Sequence, residues 1–283
     1  MTTIQFEPMS VGGILDTAFR LYRAKFARFL AITAIIQVPL QLLLIVLMAI
    51  LMQVAVESQE PGAEEPAQAY LIALGLMTIP YVLLSMIAQQ LTSAALLKGV
   101  SETYLGRDVS VGEAYRFVLP KLWTLIAAAL LVGLVTGLGY MLCIVPGVIF
   151  SLWYALTTPA IVVENLRATS GMSRSKSLAS GNLGKIFLVL FVIVLISMAL
   201  SYAFTSAGGL AAGFLLADNP KALLLVRQFI QIIPQLLVMP LSAAATVLIY
   251  YDLRIRKEGF DLEMLAQRLG SERETADGSS LAM

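Results

Sequence analysis

The side chains of this sequence that could bind or react are polar residues placed inside apolar stretches. Arg227, Gln231 and Gln235 follow one another at intervals of four residues, so a continuous helix would stack them on one face. Two other apolar stretches carry further amides: Gln37, Gln41, Gln89 and Gln90. Polar groups inside a membrane are costly and normally face protein or a watery cavity. The pattern therefore predicts a polar cavity lined by three membrane spans, the first, second and sixth.

The same residues have a simpler interpretation, which the sequence leaves open. Amides can do no more than hydrogen-bond between neighbouring helices, at about 0.6 kcal/mol each or somewhat more. Arg227 stands near one end of its apolar stretch. Its guanidinium could therefore reach the water instead of a cavity.

Catalytic chemistry finds little support in the residue types. The chain has no histidine, which excludes Ser–His–Asp and Cys–His catalysis and histidine-ligated zinc. Cys143 is the only cysteine, so neither an intrachain disulfide nor a metal–thiolate cluster can form. Phosphate-binding and dinucleotide-binding glycine motifs are also missing from the sequence. We expect no enzymatic activity, metal or cofactor, although catalysis by carboxylates or lysine stays formally open.

Composition places these residues in a membrane protein. The chain is 59% hydrophobic and 13% charged, and its mean hydropathy is +0.85. Ordinary soluble domains have roughly 25% charged residues. A soluble core could not hide this many apolar side chains, so the bilayer must solvate them. The net charge of +1 indicates nothing by itself, because the information lies in where the charges stand.

Apolar stretches near the length that crosses about 30 Å of hydrocarbon, ~20 residues, recur along the chain. They cover approximately residues 29–55, 69–97, 122–144, 146–163, 185–207 and 222–251. The predicted fold is an all-α integral membrane protein with six transmembrane helices. We expect a polytopic membrane domain over residues 1–258 and a short, partly disordered cytoplasmic tail over residues 259–283.

The basic residues set an orientation. Of the 19 Lys and Arg residues, all except Lys221 and Arg227 fall in segments that an even number of crossings places on one side. Lys and Arg accumulate on the cytoplasmic side of membrane proteins. We therefore expect a bacterial cytoplasmic (inner) membrane protein with both termini in the cytoplasm. The acidic Glu57–Ala69 connection then lies outside.

Short sequence matches suggest internal repetition. Ser10-Val11-Gly12 recurs as Ser110-Val111-Gly112, and a looser copy begins near Ser170. Each copy opens a short helix that leads into an odd-numbered span, and Ser110 with Glu113 fits a capping box. We predict three repeats, each an interfacial amphipathic helix followed by a transmembrane hairpin.

The interfacial helices predict contacts with lipid. Residues 11–28 combine an apolar stripe with a basic opposite face, which suits the headgroup boundary of a membrane. The alternative is simple anchorage of the bundle. The candidate headgroup contacts are Arg20, Arg23, Lys25, Arg28, Arg174 and Lys176. Three carboxylates end the even spans, where we expect water to reach them: Glu102, Glu164 and Asp252.

Several stretches carry a resemblance to a known family. They are Glu7 to Gly12, Phe19 to Arg23, Pro146 to Ile149 with Trp153, Ser173 to Ser175, and Tyr251 to Arg254 with Glu258 to Glu263. The chain resembles the bacterial membrane proteins grouped with the glycerophosphoryl diester phosphodiesterase membrane domain. In enzymes of that group the chemistry resides in a separate soluble barrel, which needs about 250 residues. The resemblance thus implies a membrane module alone, without catalytic residues.

Together these patterns favour a non-enzymatic membrane-organising or accessory module that engages lipid or a partner protein. The alternative is a transporter or channel for a small or lipid-like solute, using the polar faces of spans one, two and six. The expected partners are membrane lipids and either a second copy or another membrane protein. Nucleic acid is not expected, because the basic residues are dispersed along the membrane face.

Overall fold

The computed structural model describes residues 8–57, 66–217 and 219–259. Within these ranges the chain is helical and contains no strand. Six segments are long and apolar enough to cross a membrane. The protein is therefore a multi-pass membrane protein, and the predicted all-α membrane fold with six spans is confirmed.

Eleven α-helices occur within the described ranges. The first group is α1 (Val11–Ala24), α2 (Phe26–Glu57) and α3 (Pro66–Tyr104). The second is α4 (Val111–Val118), a 3₁₀ turn (Leu119–Lys121), α5 (Leu122–Leu142), α6 (Ile144–Tyr154) and α7 (Thr157–Glu164). The third is α8 (Ala168–Ala179), α9 (Leu183–Leu215), α10 (Pro220–Ile230) and α11 (Ile232–Glu258).

The order of elements, a short helix and then a hairpin, occurs three times along the chain. The internal three-fold repetition itself stays a prediction. Most of the predicted tail, residues 260–283, and most of the connection between the first two spans lie outside the described residues.

Three helix ends stand four or five residues before a proline. Pro146 follows the end of α5 at Leu142, and Pro234 follows the end of α10 at Ile230. Pro159 follows the break between α6 and α7 in the same way. A proline ring clashes with the carbonyl four residues earlier and offers no donor, so the preceding helix ends there. The fourth and sixth spans are therefore each a pair of helices, where the sequence suggested continuous ones.

Serine caps fix where α1 and α4 begin. The Oγ atom of Ser10 accepts a hydrogen bond from the Gly13 N–H at 3.1 Å, at the start of α1. Ser110 and Glu113 bond each other's backbone N–H groups, at 3.3 Å and 2.7 Å, at the start of α4. The predicted capping box is confirmed.

Helix α11 forms the centre of the bundle. Its residues from Leu241 to Leu253 are mostly buried, and it packs against α1, α2, α3, α8 and α9. Large apolar side chains on the surrounding helices point outward, including Leu76 (71% exposed) and Tyr202 (77% exposed). A bilayer would cover this outer surface, so the bundle buries its small and polar residues around α11.

The second hairpin turns within one residue, Cys143, between α5 and α6. A Cβ atom at Gly147 would lie 2.3 Å from the ring of Tyr140, so only glycine lets the two helices approach this closely. Further back along α5, Gly133 and Gly137 have no neighbouring atom within 4 Å of where a Cβ would stand. The bundle itself does not use that small-residue pair.

Ion pairs gather at one end of the bundle, which we term the basic end; it contains Arg28, Lys98, Lys185 and Arg254. There the carboxylate of Asp252 is completely buried. It accepts a hydrogen bond from the backbone N–H of Met9 at 2.7 Å and pairs with Lys185 and Arg256. The expectation that water reaches the carboxylates at these helix ends is wrong for Asp252 and for Glu102, which is 8% exposed.

A second cluster joins α7, α8 and α11. Arg174 binds Glu164 at 2.8 Å and also pairs with Glu258. Arg254 lies 3.2 Å from Glu258, and the hydroxyl of Tyr250 donates to Glu164. Charged groups held in pairs of this kind are expensive to separate, so they fix α11 against the second hairpin.

Replacing Asp252 by alanine should lower the free energy of unfolding by about 3–5 kcal/mol, because Lys185, whose side chain is only 15% exposed, would lose the carboxylate that neutralises it. Thermal unfolding of the detergent-solubilised protein, followed by circular dichroism, measures this loss.

The matched control is Asp108→Ala. Asp108 also pairs with two cations, Lys25 and Arg28, but its side chain is 68% exposed. Its loss should cost far less than the loss of Asp252, because water and salt screen exposed ion pairs. Equal losses at Asp108 and Asp252 would contradict the role given to burial.

Candidate functional site

Four of the predicted amides form one hydrogen-bonded network. Gln37 is 1% exposed, and its Nε2 atom donates to Gln89 and to Thr92, each at 3.4 Å. Gln235 donates to Gln37 at 3.3 Å, and Gln41 donates to Gln235 at 2.6 Å. The network joins α2, α3 and α11 in the apolar part of the bundle. These amides therefore do connect helices, as the simpler interpretation required.

The remaining three predicted residues stand apart from this network. Gln90 lines a cavity of about 300 Å³ beside it, between α2, α3 and α11. Gln231 occupies the break between α10 and α11 and lines a different cavity. Arg227 is exposed on α10. Its Nε atom lies 3.7 Å from where a Cβ atom would stand at Gly209 on α9. The helix break therefore divides the single polar face that the sequence suggested.

The cavity that Gln231 lines has a volume of about 480 Å³ and lies between α3, α9 and α11. Its α9 wall presents Ser197, Ser201 and Thr205, which are spaced four residues apart. Its other walls contribute Gln89, Gln231, Gln235 and Ser242. The sequence interpretation missed this wall, because it considered amides and charges only. The four-residue spacing of three hydroxyls on an apolar helix is the signal that could have found it.

A third cavity, of about 200 Å³, continues toward the basic end between α3, α7 and α11. Its polar lining consists of Gln89, Ser93, Thr158, Ser242 and Thr246. Gln89 and Ser242 also line the larger cavity, so the two cavities adjoin. Among the described residues, the polar lining of these two cavities consists of amides and hydroxyls, without a charged side chain.

A fourth cavity, of about 490 Å³, opens at the basic end between the same helices, α3, α7 and α11, and the α4–α5 junction. We term it the basic cavity. Its ionisable lining consists of Lys98, Glu102, Arg107, Lys121 and Tyr251. Because Tyr251 is a neutral phenol at ordinary pH, three cations surround one carboxylate. The cavity therefore carries an excess of positive charge.

Local structure explains how these cations meet. Lys98 and Glu102 stand one helical turn apart on α3 and pair directly, while Arg107 approaches Glu102 at 3.4 Å from the loop after α3. The 3₁₀ turn delivers Lys121 from the other side. The ammonium groups of Lys98 and Lys121 lie 4.1 Å and 3.7 Å from the ring centre of Phe117. In the part of the chain that the structure describes, Lys121 has no acidic partner.

The predicted headgroup contacts have other arrangements. Lys25 and Arg28 each lie 2.9 Å from Asp108, and their hydrogen bonds hold the pKa of that carboxyl below its usual value. Arg174 is held by Glu258 and Glu164, and the hydrogen bonds that it donates to Glu258 raise the pKa of its guanidinium. Lys176 lies over the ring of Trp153, 4.6 Å from its centre.

The last two predicted headgroup contacts are on α1. Arg20 lies 3.5 Å from the hydroxyl of Thr17, and both Arg20 and Arg23 are exposed. Three cations thus already have acidic partners, whereas Arg20, Arg23 and Lys176 have none within residues 8–57, 66–217 and 219–259.

The described residues contain no group of three or more His, Cys, Asp or Glu side chains that could hold a metal ion. Comparison of the chain with protein-family models, with curated proteins and with solved structures found no match. The cavities offer two kinds of interaction. The basic cavity can attract an anion, and the cavities beyond it can form hydrogen bonds through their amides and hydroxyls.

Replacing Gln37 by alanine should lower the free energy of unfolding by about 2 kcal/mol, because three hydrogen bonds of the network would be lost at ~0.6 kcal/mol each. Thermal unfolding in detergent measures the change.

Gln90→Ala is the control for this prediction. Gln90 is also an amide on the wall of a neighbouring cavity, but no hydrogen bond joins it to the rest of the described chain. Its replacement should change stability by about 0.5 kcal/mol or less. A loss at Gln90 as large as that at Gln37 would show that the network does not stabilise the bundle.

Proposed function

We propose that the protein is a non-enzymatic module of a bacterial cytoplasmic membrane that binds the phosphate-bearing headgroup of an anionic lipid. The observation that carries the proposal is the basic cavity, where Lys98, Arg107 and Lys121 converge around the single carboxylate of Glu102. In this proposal the basic end faces the cytoplasm, as the accumulation of Lys and Arg there favours, and both termini are cytoplasmic.

Charge explains the class of ligand. Glu102 neutralises part of the positive charge through Lys98 and Arg107, and Lys121 retains its charge beside them. Ammonium and guanidinium groups offer donors only, so they match the acceptor oxygens of a phosphate. Basic pockets between transmembrane helices on the cytoplasmic side are a known way to bind anionic lipid headgroups.

The position of the cavity favours a lipid over a freely dissolved anion. Lys121 ends the 3₁₀ turn directly before the apolar helix α5. Trp123, two residues further along, is 76% exposed on the outside of the bundle. Tryptophan collects at the boundary between hydrocarbon and water, which is the depth of lipid headgroups. A phosphate in this cavity would therefore lie level with the headgroups of the same leaflet.

This proposal carries forward the role expected from the sequence, a membrane-organising or accessory module. The resemblance to the glycerophosphoryl diester phosphodiesterase membrane domain agrees with it and stays a prediction. The cations that provide the site differ from those that the sequence suggested, because none of the predicted headgroup contacts lines the basic cavity.

The test measures binding of three probes to the detergent-solubilised protein by native mass spectrometry: dihexanoyl phosphatidylglycerol, dihexanoyl phosphatidylcholine and inorganic phosphate. We expect the anionic lipid to bind most tightly. The double substitution Lys98→Gln with Lys121→Gln should weaken its binding roughly 30-fold, because each cation near the membrane surface contributes about 1 kcal/mol.

The matched control changes the same number of charges on α1, Arg20→Gln with Arg23→Gln, and should leave binding nearly unchanged. Equal weakening by both double substitutions would mean general attraction to basic residues and would contradict a specific site. Equal binding of phosphatidylcholine, or of phosphate alone, would contradict an anionic lipid as the ligand.

A further inference from the structure

The hydroxyls on the wall of α9 differ from other hydroxyls in the membrane-spanning helices. Ser206 donates to the carbonyl of Tyr202 at 2.7 Å, and Thr136 donates to that of Val132 at 2.7 Å. Such bonds satisfy a hydroxyl within its own helix. Over the described part of the chain, the hydroxyls of Ser197, Ser201 and Thr205 have no such partner. They face the cavity between α3, α9 and α11 instead.

This cavity is open along its side. Helices α3 and α9 both pack against α11 but make no extended contact with each other over their described lengths. Gln89, Thr205 and Gln231 line the cavity and are exposed. The adjoining smaller cavity, whose lining is buried or half-buried apart from Gln89, continues this opening as a polar path beside α11. We term the two together the lateral groove.

The lateral groove is long in relation to the membrane. Along the sixth span its lining extends from Gln231, at the break before α11, to Thr246 on α11. At 1.5 Å per residue this corresponds to about 22 Å, against roughly 30 Å for the hydrocarbon core. The basic cavity lies beyond its Thr246 end, between the same helices α3, α7 and α11. Polar surface thus extends over most of the distance between the two leaflets.

Unpartnered hydroxyls and amides facing lipid chains are unfavourable, because hydrocarbon offers no hydrogen bonds. An occupant of the groove must therefore be polar. It must also tolerate an apolar surrounding on its open side, because the groove borders the bilayer. A phospholipid meets both requirements when its headgroup and accompanying water lie in the groove and its acyl chains remain in the membrane.

We propose that the lateral groove lets phospholipid headgroups cross the hydrocarbon, so that the protein equilibrates lipid between the two leaflets. The groove lowers the barrier by replacing part of the headgroup's hydration with the hydroxyls of α9 and the amides of α3 and α11. Among the residues that the structure describes, its lining has no charged side chain that would trap a headgroup on the way. The movement needs no energy source.

This inference is independent of anionic-lipid binding, because the groove and the basic cavity have no lining residue in common among the described residues. It narrows the transporter alternative that the sequence left open. The solute becomes a lipid, and the walls become α3, α7, α9 and α11, which belong to spans two, four, five and six.

The test uses the full chain reconstituted into phosphatidylcholine vesicles that contain a trace of phosphatidylcholine with a dithionite-sensitive fluorophore on a short acyl chain, so that its headgroup stays zwitterionic. Dithionite added outside destroys the label in the outer leaflet only. In protein-free vesicles we expect the inner-leaflet label to persist. With the wild-type protein nearly all label should be lost. Because these vesicles contain no anionic lipid, failure of headgroup binding at the basic cavity would not affect the result.

The double substitution Ser201→Leu with Thr205→Leu should slow the loss about tenfold or more, which corresponds to about 1.4 kcal/mol in the barrier. Ser206→Leu introduces the same side chain on the same helix outside the groove and should leave the rate unchanged. Thr205→Val, which removes a hydroxyl at constant volume, should slow the loss about threefold. It serves as the readout should the double variant fail to fold, as judged by elution volume and helical circular dichroism.

A soluble fluorophore trapped inside the same vesicles shows whether dithionite itself enters. It should stay fluorescent. Its loss would identify an aqueous channel and overturn the proposal. Persistence of the inner-leaflet lipid label with wild-type protein, or equal slowing by Ser206→Leu and by the double substitution, would overturn it as well.

Discussion

The buried carboxylate of Asp252 fixes the position of α11, and the rest of the bundle is arranged around that helix. Its oxygens bind the backbone of Met9 and the side chains of Lys185 and Arg256, so α11 is tied to the start of the chain and to α9. With that end fixed, Gln235 reaches the amide network, and Ser242 lines the cavities. Each polar feature of the membrane region therefore uses α11 as a common wall.

Proline positions explain why polar space remains inside such an apolar bundle. Pro234 and Pro159 follow the breaks of the sixth and fourth spans, and each break divides its span into two helices. Pro39, Pro80 and Pro240, in contrast, lie within continuous helices. A span that is divided into two helices packs as two shorter segments and not as one continuous surface. The cavities beside α11 adjoin these two breaks, at Gln231 and at Ala155.

Composition and hydropathy were sufficient to predict the fold class and six spans, because long apolar stretches have few alternatives to a membrane helix. The polar residues inside the spans were recognised from the sequence. Grouping Arg227 with Gln231 and Gln235 on one helical face was wrong, because the break at Gln231 separates α10 from α11. The basic cavity escaped prediction because Lys98, Arg107 and Lys121 come from separate elements and meet only after packing. Serine and threonine are ordinary residues in helices. Which hydroxyls donate to their own helix, as Ser206 does, and which face a cavity, as those of Ser201 and Thr205 do, is decided by the folded structure.

The tight hairpin at Cys143 has a consequence for the surrounding bilayer. Helix α5 has 21 residues, about 31 Å, whereas α2 has 32 residues, about 48 Å. Helix α2 therefore projects beyond the hydrocarbon, while α5 has no length to spare, and the side chains at its end are apolar and exposed, as at Met141 (87%). Any tilt of α5 draws the far leaflet inward, so the protein should distort its annulus unequally and partition toward thin regions of membrane.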